Sequence, residues 1–348
     1  MGSSADVVDR EQITPGRNVR RAQIVFGLAA LLVLVFVAAL VTGAIPVSLS
    51  DYFASSDRSL QHAVLVDIRT PRVVLAAAVG AALSVSGAAL QGLFRNPLAD
   101  PSLIGVSSGA AVGALSMIMF GSTLVIAARW MPFLVPAAAV GGAASVTLFL
   151  YTFARRFSDF SVTTMLLVGI AINAIATVAI GAFEFLSDER QLRTLIFWMM
   201  GSYGRATWPT VLPALVVMAV ASAILYRGAR ALDVLQLGEA DAHYMGINVD
   251  GLKRHIILAS AAAVGAGVSV AGIIAFVGLV VPHLVRLLGG ASHRYVLAGS
   301  ALLGASLSVT ADVVARTSIS PAEMPVGLVT SAMGAPFFLW LIARARPA

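Results

Sequence analysis

Residues 69–110 read RTPRVVLAAAVGAALSVSGAALQGLFRNPLADPSLIGVSSGA, and the small side chains in this stretch decide the class of fold. A helix rich in Gly, Ala and Ser is entered from Arg69-Thr-Pro-Arg72 and leaves into Asn96-Pro97-Leu98-Ala99-Asp100-Pro101. A second small-residue helix follows at once. Such helices fill a water-soluble core poorly. In a bilayer, where lipid is as apolar as leucine, close backbone approach takes over as the source of helix association. The stretch predicts a membrane-embedded bundle, and the module reads as a transport pathway rather than a catalytic pocket.

The rest of the chain agrees. Of 348 residues, 59% are hydrophobic and 11% charged, where a soluble domain carries about a quarter charged residues. Mean hydropathy is +0.91. Apolar runs recur at the length of about 20 residues that crosses a bilayer. Hydropathy and breaker residues predict an all-α polytopic protein with ten spans. These lie near 21–45, 72–93, 103–121, 131–154, 161–185, 207–227, 253–271, 273–289, 295–315 and 325–343. The break at Ala271-Gly272 has no polar residue to mark it. The run Ala22–Ile45 is too long for a signal-peptide core, so it reads as a retained span. Residues 1–20 read as a cytoplasmic tail and 21–346 as one ten-helix transmembrane domain. The absence of cysteine excludes disulfides and thiolate metal sites.

With the N-terminus inside, that side of the membrane holds 15 of the 23 Lys and Arg residues and the opposite side 8. The bias supports this orientation, and ten spans return the C-terminus to the cytoplasm. It also accounts for the pI near 10.3 without nucleic acid. Gly80–Gly87 (GAALSVSG) and Gly265–Gly272 (GAGVSVAG) agree at five of eight positions. They fall on spans of opposite direction, as in inverted-repeat transporters, although Gly/Ala/Ser/Val composition also produces such matches by chance.

Four blocks, in order and at consistent spacing, give the chain its likeness to a known family. The first runs from Arg69-Thr-Pro-Arg72 through Gln91 and Asn96–Pro101 to Gly109. The second is Phe197-Trp198-Met-Met-Gly201-Ser202 with Trp208. The third is Leu237-Gly238-Glu239 with Ala242 and Gly246. The fourth runs from Gly272 through Pro282-His283 and Arg286 to His293-Arg294, with a tail at Asp312, Arg316, Glu323, Pro325 and Gly334-Ala-Pro336. Through these the chain resembles the FecCD/BtuC-type permeases of type II ABC importers, which carry iron–siderophore complexes, haem and vitamin B12. The resemblance implies a homodimer of ten-helix subunits with inverted-repeat-like halves in the bacterial inner membrane. It further implies two copies of a cytoplasmic ATPase below and a periplasmic or extracellular binding protein that delivers cargo. No GxxxxGK[ST] phosphate loop occurs in this chain, so ATP hydrolysis belongs to a separate subunit and the chain is not itself an enzyme. No cofactor and no metal site are expected of it.

The resemblance assigns roles residue by residue. Within the cytoplasmic segment at about 231–252, a short polar helix bounded by glycines matches the family's coupling helix. Leu237, Gly238, Glu239, Ala242, Tyr244, Met245 and Gly246 are its expected contact residues. A helix this short is stable only when packed against something. Arg69, Arg72 and Arg316 stand on the outer side against the positive-inside bias. The family match makes them docking residues for the binding protein, while interfacial snorkelling is the alternative. Asn96, Pro97, Asp100 and Pro101 form an inner corner near the gate, with Asp100 placed to cap the next helix and Pro101 in its first turn. Trp198, Met199, Met200 and Tyr203 are possible pathway residues near the outer cavity, or else interfacial anchors. His283 matches the family dipeptide Pro-His rather than a cargo ligand.

The expected function is therefore import of an iron chelate, haem or ferric siderophore, by alternating access. Cobalamin import within the same family is the alternative. An ion-coupled secondary transporter would place acids at span centres, and the centres are free of Asp and Glu. An intramembrane enzyme would need a nucleophile–base pair or a carboxylate dyad, and neither is visible.

Overall fold

The computed structural model describes residues 15–43, 62–123, 127–157, 161–319 and 322–344. The first fourteen residues of the expected tail, the end of the first expected span and residues 345–346 lie outside the described residues. The described residues form thirteen α-helices and no strand. Seven helical stretches are long and apolar enough to cross a membrane, and three shorter apolar helices bring the total to the ten expected.

In chain order, α1 is Pro15–Val41, so the helix already includes the end of the expected tail. A π-helical turn, Ala63–Arg69, runs directly into α2, Thr70–Leu93, which lengthens the second span at its N-terminal end. Then come α3, Val106–Phe120; α4, Met131–Phe157; and α5, Val162–Leu186. An amphipathic helix, α6, spans Glu189–Met199, and α7 spans Trp208–Arg227. Two short helices, α8 (Ala229–Leu235) and α9 (Glu239–Tyr244), precede α10, Val249–Ala271. The chain closes with α11 (Val277–Gly289), α12 (His293–Thr317) and α13 (Val326–Arg344).

The break between α10 and α11 falls where expected. Gly272 has φ +71°, and a Cβ there would overlap the Trp198 carbonyl oxygen. Phe276 also takes a left-handed φ of +68° before α11 begins. Hydropathy shows no sign of α6 as a helix of its own. Its start is a capping box, in which the Asp188 carboxylate accepts from the Gln191 amide and the Gln191 side chain accepts from the Asp188 amide.

Burial divides the helices into centre and rim. The apolar window of α2 is 78% buried within the chain and that of α10 is 72%, against 11% for α1 and 17% for α5. Phe26 and Leu34 on α1, and Ile175, Val178 and Phe185 on α5, are exposed. In water such faces would be a large liability, whereas in lipid they are solvated. α2 packs on α12, α10, α11 and α7, and its small residues are what let them close in. A Cβ at Gly80 would overlap the Gly304 carbonyl oxygen, and one at Gly87 the Gly278 carbonyl oxygen. The two similar octapeptides thus lie on the two most central helices, which pack against one another.

Candidate functional site

The ion pairs among the described residues gather at the two ends of the bundle. At one end is the segment α8–α9. Gly228 ends α7, and Leu232 and Leu235 of α8 are fully buried. Gly238, at φ +134°, and Gly246, at φ +83°, turn the chain into and out of α9 in conformations that favour glycine. Glu239 stands in the first turn of α9 and pairs with the buried Lys253 ammonium at 2.8 Å, fastening α9 to the start of α10. Leu237, Tyr244 and Met245 point away from the protein, and Tyr244 is 87% exposed. Ala242 does not join them. It is fully buried, so its methyl is part of the anchor beneath the exposed face and not a contact for a partner.

The corner between α2 and α3 holds its shape through local hydrogen bonds. The Asn96 side chain accepts from the Leu98 amide at 2.9 Å, and Asp100 accepts from the Ser102 amide at 2.8 Å. Asp100 caps a 3₁₀ turn, Pro101–Ile104, with Pro101 in first position, and Gly105 at φ +77° then restarts the chain as α3. Pro97 and Leu98 share a crevice with His283 of α11 and Phe337 of α13. The His283 and Phe337 rings meet edge-on at 6.3 Å between centroids. Just inside the corner, Gln91 of α2 accepts from the Arg286 guanidinium and donates to the Leu279 carbonyl at 3.3 Å, joining α2 to α11.

At the opposite end the three arginines expected on the outer side come together, but they face inward. Arg69 donates to the carbonyls of Leu40 and Val41 at 2.8 and 3.0 Å, and Arg316 donates to that of Ala39. Two cations therefore satisfy the orphan carbonyls at the negative end of α1. Arg72 reaches Asp312 at 3.0 Å and Glu323 at 2.8 Å. Asp312 is almost completely buried, while the Glu323 side chain is half-exposed. In this arrangement no guanidinium of the three presents itself to solvent as a docking cation. The reason is that α1 and α12 offer closer acceptors. Asp312 and Glu323 entered the sequence reading only as part of the family likeness, with no role as partners of Arg72. The spacing of Asp312 to Arg316, i to i+4, was the available signal for the first, and nothing local marks the second.

The segment Trp198–Tyr203 is more buried than expected of a pathway wall. Tyr203 is wholly enclosed, with its hydroxyl 2.7 Å from Ser308 Oγ. Burial pushes its phenol above the ordinary range, so it stays protonated. Met200 contributes its backbone carbonyl to the Gly327 amide at 3.0 Å, seating the start of α13, and Met199 packs against the core. Trp198, with Phe197, borders a cavity of about 410 Å³ whose other walls come from α4, α7 and α10.

Among the described residues the chain is a helical bundle with apolar outer faces, ion pairs at each end and a short helix outside the long apolar spans, the architecture of a multi-pass membrane protein. The FecCD transport family matches residues 31–344, and the chain belongs to that family. It is 44% identical over 321 residues to the hemin transport system permease protein HmuU of Yersinia pestis, covering 92% of this chain and 95% of that one. It is 40% identical over 328 residues to the vitamin B12 import system permease protein BtuC of Vibrio vulnificus, covering 94% and 96%. A solved structure of a metal-chelate type ABC transporter in an inward-facing conformation matches with a TM-score of 0.83 and 32% identity, over 93% of this chain and 99% of that one. The chain is a multi-pass permease of the type II ABC importer family.

Proposed function

We propose that this permease imports an iron chelate, haem ahead of a ferric siderophore, as a homodimer in the bacterial inner membrane with both termini in the cytoplasm. A periplasmic or extracellular binding protein delivers the cargo, and two ATPase subunits supply the energy. Alternating access then follows from ATPase closure pulling on α9 and tilting the halves around the corner at Asn96–Pro101. One observation carries the coupling part of this reading. Tyr244 is exposed on a six-residue helix, with Leu237 and Met245 exposed at its two ends, and the helix is held from beneath by Ala242 and the Glu239–Lys253 pair. A helix so short has little stability of its own, and exposed apolar anchors in a cluster are what a partner's groove takes up.

Haem is favoured by the similarity to a hemin permease along nearly the whole chain. Cobalamin is the second reading, favoured by comparable similarity to vitamin B12 permeases. The binding-protein role of Arg69, Arg72 and Arg316 stands as a proposal in altered form. They hold the surface on which docking occurs, while the half-exposed Glu323 reaches solvent beside them. The decisive experiment reconstitutes the chain with its ATPase and binding protein in proteoliposomes and compares haem, a ferric siderophore and cobalamin. ATP-dependent accumulation of haem supports the proposal. Accumulation of cobalamin alone shifts the assignment to the second reading, and uptake on an ion gradient without ATP overturns both.

For the coupling surface, Tyr244→Asp and Met245→Asp are expected to weaken ATPase association about tenfold or more, with the thermal stability of the isolated permease unchanged. Ala242→Arg should instead unseat the whole segment, lowering stability as well as association. Co-elution with the ATPase, together with thermal unfolding in detergent, separates the two effects. Full association of both aspartate variants would remove α9 from the interface.

A further inference from the structure

The partner-facing helix α9 is joined to the ends of two central helices by three side chains that neither the spans nor the exposed face of α9 requires. Asp233, on α8, accepts through one carboxylate oxygen from the His293 backbone amide at 2.8 Å and from its Nδ1 at 2.7 Å. His293 is the first residue of α12 and is buried. Gln236, in the turn between α8 and α9, donates to the Gly92 carbonyl at 2.9 Å and to the Leu232 carbonyl at 3.0 Å. Gly92 lies in the last turn of α2, and its carbonyl accepts from the Arg95 amide at 3.3 Å as well as from Gln236. The His293 ring rests directly on Gly92, and Nε2 fills the space a Cβ there would need. One short stretch, 233–236, thereby grips the C-terminal end of α2 and the N-terminal end of α12 at the same point.

Those two helices are also the most intimately packed in the chain. Gly80 of α2 and Gly304 of α12 meet backbone against backbone, with the small side chains of Ser84 and Ser308 packed against the facing glycines, a contact with little slack to absorb displacement. At their far ends Arg72 of α2 and Asp312 of α12 are joined by an ion pair at 3.0 Å, and Glu323 extends that pairing to the loop before α13. Contact is continuous from α9, through 233–236, along α2–α12, to the outer arginine cluster.

We propose that Asp233, Gln236 and His293 are positioning residues for transport. They form a clip that makes α2 and α12 move as one with α9, so that force applied by the ATPase reaches the outer end of the permease. This inference rests on the coupling role proposed for α9. Removing one arm of the clip leaves the exposed face of α9 in place, so ATPase assembly and hydrolysis continue while cargo movement falls behind. A merely structural role would lower both together.

The test uses the complete importer in proteoliposomes and reads cargo transported per ATP hydrolysed. Asp233→Ala and Gln236→Ala are each expected to lower that ratio about tenfold, the size of an ordinary coupling free energy, with ATPase stoichiometry and hydrolysis retained. Asp233→Asn keeps an acceptor oxygen for the His293 amide and should restore most of the ratio. Gln236→Ala removes only one exposed-end hydrogen-bond donor, so it keeps the test valid if Asp233→Ala misfolds. An unchanged ratio in Gln236→Ala, or hydrolysis and transport falling in proportion in either variant, overturns the clip. Failure of the unaltered chain to bind the ATPase would instead strike the coupling reading on which the clip depends.

Discussion

Replacing Arg72 by methionine should destabilise the permease by about 3–5 kcal/mol, the cost of leaving a buried carboxylate without its cation. Arg72 gives Asp312 both Nε hydrogen bonds and an ion pair at 3.0 Å. Asp312 sits near the C-terminal end of α12, almost wholly enclosed. Its other cation, Arg316, is 3.7 Å away, too long for a good hydrogen bond, and is committed to the Ala39 carbonyl of α1. Arg316 alone therefore does not compensate the charge. Adding Asp312→Asn removes the charge that Arg72→Met strands, so the double variant should recover a large part of the loss. Thermal unfolding of the protein in nanodiscs, run as a double-mutant cycle, reads the difference. Strict additivity of the two substitutions would show that the pair contributes nothing beyond its separate side chains.

Gly87→Leu and Gly80→Leu are expected to be at least as damaging, at about 3 kcal/mol or more, since overpacking costs most where neighbours cannot shift. At both positions the obstacle is backbone: the Gly278 carbonyl of α11 for one and the Gly304 carbonyl of α12 for the other. A displaced side chain could find another rotamer, but a helix axis must move as a whole. Because α2 touches α7, α10, α11 and α12, that displacement spreads through the centre of the bundle. Gly141→Ala is the control, with nothing within 4 Å of the added methyl. Recovery of monodisperse protein after extraction, followed by thermal unfolding, distinguishes them. Wild-type stability in Gly87→Leu would mean that α2 and α11 are farther apart than the structure places them.

How much of this was legible beforehand depends on the distance over which each feature is determined. The corner at Asn96–Pro101 was readable because its hydrogen bonds run from i to i+2, and proline and aspartate act there through local geometry. The end of α10 at Ala271 was expected although no polar residue marks it, and the structure supplies the physical reason, since Gly272 takes a φ that other residues avoid. The helix α6 went unseen. Its apolar face continues into the Phe197–Ser202 motif, and hydropathy alone does not distinguish an end-on amphipathic helix from the loop before a span. The direction of Ala242 was also hidden. On a six-residue helix, periodicity is too brief to say which face meets the protein.

The sequence by itself determined that the chain is a helical membrane bundle, roughly where its spans begin and end, and which short segment carries the exposed anchors. These follow from composition, from runs matched to bilayer thickness and from local backbone preference, all of which act within a turn or two. Only the tertiary structure decided that α2, α10 and α12 lie inside while α1 and α5 face lipid, since all five are apolar. It alone decided that Arg72 turns inward to Asp312, 240 positions away, and that Asp233 and Gln236 grip two helix ends. A buried cation is settled by whichever carboxylate packing brings within reach, and packing is a property of the assembled helices and not of any one of them.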